Sequence, residues 1–219
     1  AILRHFQLRH LQPSPLLTVI GPPLAGKTRA LQVAAGCRRC EDNAPIPGTT
    51  VLAELRSRAA ADELHQVILR QADAPAYSAR GIARRAQFVA NQLSLRKVDT
   101  LIVDNAHFLV ADEGAFSASI ELLAHLAVRG GMSIVLSGRD TVRAAANELA
   151  HATGLSAAEV EIAPVPADSD GLAQLDAFLL LFSEELQSIL PGLKCEGLEE
   201  PTFVMRMLLA SKGRFGLAT

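Results

Sequence analysis

The chain is poor in cysteine: three in 219 residues, an odd number that cannot close into a set of disulfides. This excludes a disulfide-stapled secreted scaffold and gives the expectation of a reducing compartment, the cytoplasm. Cys37-Arg38-Arg39-Cys40 has the spacing of half a zinc or redox site. No second pair exists and Cys195 stands alone, so the spacing reads as a loop after a helix. Long apolar runs are missing too, and none is long enough for a helix to cross a bilayer. The expectation is a soluble protein with no membrane partner. The opening Ala1-Ile2-Leu3-Arg4-His5 lacks both the layout of a signal peptide and an initiating methionine, which reads as residues missing before it. Arginine is absent from Ala144 to Met205.

What is present suffices for a substantial core. With 49% hydrophobic residues, the chain can bury one large core, or one core and a small appendage. The net charge of −2 conceals a division. Residues 1–100 carry 14 Lys+Arg against 7 Asp+Glu, or +7; residues 101–219 carry 7 against 16, or −9. A basic half fits a surface that faces a polyanion, and an acidic half fits surfaces elsewhere, including contacts between subunits.

The most specific motif is Gly21-Pro22-Pro23-Leu24-Ala25-Gly26-Lys27-Thr28, a complete G-x-x-x-x-G-K-T phosphate loop. The apolar run Leu16 to Ile20 leads in and a helical pattern from Arg29 to Ala35 leads out, the strand-to-helix context the loop needs. Backbone N–H groups and the helix N-terminus then converge on phosphates. Gly21 and Gly26 shape the turn, Lys27 reaches the β- and γ-phosphates, and the Thr28 hydroxyl ligates Mg²⁺. The motif predicts binding of a nucleoside triphosphate, ATP with Mg²⁺.

Five short apolar strands are expected: Leu16 to Ile20, Thr50 to Leu55, Thr100 to Asp104, Ser133 to Ser137, and Val160 to Ala163. Helical patterns between them predict an α/β fold, a central parallel sheet with helices on both faces. In the helix starting near Ser78, Ile82, Ala86, Val89 and Leu93 form one stripe, with Arg80, Arg84 and Arg85 largely outside it. Pro45, Pro47 and Gly48 mark a loop from Glu41 to Thr49. After Pro164 and Pro166, Leu172 to Leu190 is helical and rich in leucine and phenylalanine, with Asp170 as its expected cap. A last helix begins at Pro201 and stops at Gly213. The expected division is a nucleotide-binding core over 1–165 and a helical lid over 166–219, the lid truncated in this sequence. Its apolar stripe packs on the core or against another subunit.

Leu101-Ile102-Val103-Asp104 ends a hydrophobic strand in an acid, the expected carboxylate for Mg²⁺, often through water. In P-loop ATPases that hydrolyse through a dedicated base, the next residue is glutamate; here it is Asn105. An amide has no proton-accepting carboxylate, so it can position water but not act as a base. ATP binding is supported better than rapid turnover. The tip of the fourth strand, Ser137-Gly138-Arg139-Asp140, is expected between the two nucleotide strands, where Ser137, or Arg139 second, would sense the γ-phosphate; a plain strand-to-helix turn fits equally.

Taken together, the GPPLAGKT loop, the LIVDNAHFL segment, IVLSGRDTVRAA and the late SKGRFG turn resemble the AAA+ ATPases of the TniB/TnsC transposition-regulator family, including those of CRISPR-associated transposons. The order and spacing of the motifs match over most of the chain. The resemblance implies an AAA+ fold with a small C-terminal helical lid and ATP held between subunits. It implies assembly into a ring or helical filament on double-stranded DNA, and a link between a target-selection protein and the transposase. It also places DNA contacts after the second strand and at the start of the helix before the Mg²⁺-binding strand, which here hold Arg56, Arg58, Arg80 and Arg84, with Arg85 and Lys97 nearby. Such arginines would serve sequence-neutral phosphate contact. Three departures stand out: Asn105 in place of glutamate, no arginine finger between Ala144 and Met205 with Arg143 as a substitute, and a second-sensor arginine that does not align cleanly at Arg214. An ATPase switch acting on protein partners without DNA is the competing reading.

Overall fold

The computed structural model describes residues 16–36, 50–58, 63–78, 81–111, 113–189 and 200–214. Cys37, Cys40, Cys195, Arg80 and the loop from Glu41 to Thr49 lie outside the described residues. The elements are β1 (Leu16–Ile20), α1 (Lys27–Gly36), β2 (Thr50–Glu54), α2 (Leu64–Gln71), α3 (Ile82–Leu95) and β3 (Thr100–Asp104). After a 3₁₀ turn at Ala106–Ala111 come α4 (Glu113–Val128), β4 (Ser133–Gly138), α5 (Val142–Thr153), β5 (Ala157–Glu161), α6 (Ser169–Ile189) and α7 (Pro201–Ser211).

The five strands form one parallel sheet in the order β2-β3-β4-β1-β5. β4 therefore separates β1 from β3, as the sequence led us to expect. The central strands are near-continuous apolar runs because both faces are covered: every residue of β1 and β3 is buried. On one face Leu16, Leu101, Val103, Ile134 and Leu136 join a core that includes Ile68, Val89, Leu93, Leu123 and Leu149 from α2, α3, α4 and α5. Full burial of one such leucine or isoleucine contributes about 1.5–3 kcal/mol.

The largest differences from the expectation are two element boundaries and the burial of one arginine. β5 is Ala157–Glu161, not Val160 to Ala163. As an edge strand it alternates, with Glu159 and Glu161 exposed and Ala158 and Val160 half-buried, so a search for a continuous apolar run misplaces it. α6 begins at Ser169, and its cap is Asp168, whose Oδ1 accepts the Gly171 N–H at 2.9 Å; Asp170 sits in the first turn, beside the positive end of the helix dipole. In α3, Ala86, Val89 and Leu93 are buried and Arg84 is exposed, but Arg85 is half-buried.

The chain divides into two compact units. One holds the sheet and its helices up to Glu161; the other comprises Ile162–Thr219 with Pro22–Gly26. In the second, Val165, Leu175, Leu179, Val204 and Leu208 pack together. Pro201 occupies the first turn of α7, where its missing N–H is no loss, and left-handed Lys212 and Gly213 end the helix. The Gly213 carbonyl accepts the Val165 N–H at 2.8 Å. A Cβ on Gly171 would overlap the Pro166 carbonyl oxygen, a backbone atom with little freedom to yield. Gly171→Ala is therefore expected to destabilise this unit by about 1–3 kcal/mol. Hydrogen exchange along α6 checks it, and unchanged protection would refute the packing described.

Candidate nucleotide site

The phosphate loop lies where β1 ends and α1 begins, with the helix starting at Lys27 itself. Its turn is closed by the Ala25 N–H donating to the Pro22 carbonyl at 3.3 Å. Leu24 (φ 64°) and Gly26 (φ 89°) both take left-handed conformations. Glycine adopts this region freely, whereas for leucine it is an outlier of the kind that collects at ligand-binding loops.

Lys27, Thr28 and Asp104 meet at the C-terminal ends of β1 and β3. Lys27 is only 8% exposed, and its ammonium donates to the Gly21 carbonyl at 2.8 Å. Burial lowers its pKa; Asp104 opposes this and Arg139 adds to it. The Thr28 hydroxyl donates to Asp104 Oδ2 at 2.5 Å, and the Asn105 N–H donates to Oδ1 at 2.9 Å. Asp104 is fully buried, so both carboxylate oxygens are held in fixed directions. A hydroxyl and a carboxylate in contact, both hard oxygen donors, form the ligand pair that suits Mg²⁺.

Asn105 has φ 57°, a left-handed conformation in which asparagine is enriched. Its identity is thus tied to the backbone as well as to the missing carboxylate. Its carbonyl accepts the Phe108 N–H at 3.0 Å, starting the 3₁₀ turn that carries His107.

Ser137 is fully buried, and its hydroxyl has no hydrogen-bond partner among the described residues. The pairing of Val103 with Leu136 puts Asp104 beside Ser137 on one face of the sheet. Gly21 N–H donates to the Gly138 carbonyl at 3.2 Å, tying the strand tip to the loop. Arg139 is exposed, yet close enough to influence Lys27 and His107.

His107 received no role from the sequence. Its Nδ1 is buried without a hydrogen-bond partner among the described residues, and its pKa is lowered by burial, then by Arg139 and Lys27, with Asp104 opposing. A Cβ on Gly138 would lie 3.1 Å from that nitrogen and 2.5 Å from Val142 Cγ2. Gly138 is thus the residue that lets His107 approach the strand tip. Its signal in the sequence was its place in the LIVDNAHFL segment, three residues after Asp104, and a 3₁₀ turn was needed to give that spacing meaning.

The remaining arginines are dispersed. Arg56 is extended into solvent, its side chain 83% exposed and 3.6 Å from Glu54; Arg58, Arg84 and Lys97 are exposed as well. Arg143 binds Glu159 through two nitrogens, at 3.0 Å and 2.9 Å, with Asp140 and Glu161 each 3.6 Å away. It is engaged within its own unit. Arg214 is half-buried, with its Nε unpartnered among the described residues.

A parallel sheet with its phosphate loop at the end of an inner strand, and a buried metal-type carboxylate two strands away across β4, defines a P-loop nucleotide-binding protein. A family model described as an AAA domain matches residues 10–145, more than half of the chain, and the chain belongs to that family. Its nucleotide-binding AAA+ architecture is shared by solved structures. The Aeropyrum pernix ORC2 protein in its ADP form superposes with a TM-score of 0.62 at 14% identity, covering 99% of this chain and 58% of that one. A Drosophila ORC structure bound to DNA gives 0.56 at 13%, covering 98% and 60%. The Walker-type ATPase PABY2304 of Pyrococcus abyssi gives 0.55 at 17%, covering 99% and 64%. The chain thus spans about 60% of the length of these proteins, and the likeness is one of fold. No curated protein sequence matches it. Among the described residues no helix is long and apolar enough to cross a membrane.

Proposed function

We propose that the protein is an ATP- and Mg²⁺-binding AAA+ regulator of transposition that oligomerises on double-stranded DNA and links target selection to the transposase. Bound nucleotide controls assembly, and hydrolysis is slow. Residues 1–165 act as the core and 166–219 as a helical lid. The observation that carries this reading is the contact of Thr28 with buried Asp104, followed by Asn105: an apparatus suited to nucleotide and metal with no carboxylate base at the next residue.

Lys27 and the loop N–H groups bind and orient the phosphates, Thr28 and Asp104 hold Mg²⁺, and Asn105 positions water without accepting its proton. Mg²⁺ supplies charge neutralisation on the phosphates. Ser137 presents a buried hydroxyl at the strand tip, suited to sensing the γ-phosphate. ATP bound between subunits favours the assembled state because only that state completes the interface. DNA is favoured by the exposed arginines of the basic half, and by the fold shared with a Drosophila ORC that binds DNA. The transposition role rests on the motif resemblance.

Binding of duplex DNA, followed by anisotropy with and without a non-hydrolysable ATP analogue across a salt series, tests the reading. The analogue should increase affinity, and affinity should fall with salt, each phosphate contact adding about 0.9 to the logarithmic slope. Arg56→Ala with Arg58→Ala is expected to lower that slope by about two without changing sequence preference. DNA binding that ignores both nucleotide and salt would leave the protein-partner switch standing instead.

A further inference from the structure

Asn105 cannot accept a proton, yet β2 brings a carboxylate to the same end of the sheet. Glu54 is the last residue of β2 and stands in register with Asp104 on β3. The ladder runs one step further, where the Leu55 N–H donates to the Asp104 carbonyl at 3.0 Å.

We infer that Glu54 is the proton acceptor for hydrolysis of ATP by this protein. The inference rests on the proposed binding of ATP and Mg²⁺ at Lys27, Thr28 and Asp104.

Register and pleat decide which way Glu54 faces. Val51 and Ala53 of β2 join Leu101 and Val103 of β3 in one core. Side chains alternate between faces along a strand, so Leu52 and Glu54 share the opposite face with Ile102 and Asp104. That face is where the Thr28 hydroxyl meets Asp104. Paired strands lie about 4.7–4.9 Å apart, and glutamate is one methylene longer than aspartate. Glu54 can therefore reach a water held above the Asp104 carboxylate, but from one strand farther out than a glutamate at position 105. The added distance accords with slow turnover.

The other groups at this end of the sheet are committed or face elsewhere. Asp104 already accepts through both oxygens, from the Thr28 hydroxyl and the Asn105 N–H. Glu159, Glu161 and Asp140 gather around Arg143. His107 lies off the opposite face: Ser137 shares the face of Asp104, and Gly138, the next residue, is the one whose Cβ direction points at His107 Nδ1. Glu54 keeps its side chain 40% exposed, with Arg56 3.6 Å away and largely in solvent. An exposed pair of that length holds a carboxylate only weakly, which leaves Glu54 able to take a proton.

In the reaction the water oxygen bonds to the γ-phosphorus while one of its protons passes to a Glu54 carboxylate oxygen. The bond from the γ-phosphorus to the bridging oxygen breaks, and its electron pair leaves on ADP. The second proton stays on the released phosphate, and Glu54 returns its own to solvent.

Glu54→Gln, which keeps the shape and removes the basic oxygens, tests the inference in the full chain. Single-turnover hydrolysis of labelled ATP reads the chemical step, and calorimetry with a non-hydrolysable ATP analogue and Mg²⁺ reads binding. Turnover should fall by about 10²-fold, the lower end of what a positioned base contributes, with analogue affinity unchanged. Adding Asn105→Glu to Glu54→Gln should return turnover at least to that of the parent, because a carboxylate base is then present again. Parent-like turnover in Glu54→Gln overturns the inference, as does a loss of affinity equal to the loss of turnover, or a double variant that stays as slow as Glu54→Gln. A parent that binds the analogue yet hydrolyses no ATP overturns it as well while leaving the nucleotide site standing. Failure of the parent to bind the analogue would remove that site, and the inference with it.

Discussion

Lys27→Met is expected to weaken ATP binding at least about a hundredfold while leaving the nucleotide-free protein no less stable. The loss follows from chemistry: a hydrogen bond to a charged group is worth about 1.5–3 kcal/mol, and this ammonium would serve two phosphates. The second half follows from burial. Lys27 is nearly enclosed, and burial is the largest cause of its lowered pKa. A basic group whose folded pKa lies below its unfolded 10.5 binds more protons in the unfolded state. Its charge therefore costs stability at neutral pH, and that cost fades as pH rises from the lowered folded pKa through 10.5. Methionine keeps the apolar stem and removes the cost. Calorimetric titration with an ATP analogue and scanning calorimetry without nucleotide give the two halves separately. Unchanged affinity would remove Lys27 from the site, and a clearly lower melting temperature would show that its bond to the Gly21 carbonyl outweighs its desolvation.

Asn105→Glu is expected to raise ATPase turnover by about 10²- to 10⁴-fold if the remaining machinery is sound, the range a positioned general base contributes. The variant also acts on the backbone. At φ 57° asparagine is well tolerated, whereas glutamate in a left-handed conformation costs on the order of 1–2 kcal/mol, or a few degrees in melting temperature for a chain of this size. The two effects separate by comparison with Asn105→Gly, which accepts the conformation and adds no base: it should hold or gain stability without gaining turnover. A glutamate variant that binds ATP but remains as slow as the parent would show that other parts of the hydrolytic apparatus are missing, and would favour a nucleotide-binding scaffold. With Arg143 bound to Glu159 in its own unit, the source of a charge-stabilising arginine is the first place to look.

Much of the core was legible because its signals are local. Leu16–Ile20 and Thr100–Asp104 were readable to the residue, since strands covered on both faces must be apolar throughout. Asp104 was readable as an acid ending such a strand, and Pro201 as a helix start. β5 was misplaced because an edge strand shares its surface with solvent and loses that continuous pattern. Asp168 was passed over for Asp170 because two acids two residues apart offer the same capping chemistry. Only the backbone decides which of them faces the N–H groups. Arg85 looked like part of a basic outer face, yet a turn of about 100° per residue carries it toward His65 while Arg84 stays in solvent.

By itself the sequence determined that this chain builds a parallel α/β core with a phosphate loop, and it pointed to Lys27, Thr28 and Asp104 as the residues expected to meet phosphate and Mg²⁺. Each of these depends on a contiguous run of residues and its period. Tertiary structure alone decided that Thr28 and Asp104, 76 residues apart, touch. It also decided that Ser137 lies beside Asp104, that Gly138 admits His107 to the strand tip, and that Arg85 turns toward His65. Strand order and helix packing bring these groups together, and both arise from burying apolar faces shared by distant segments.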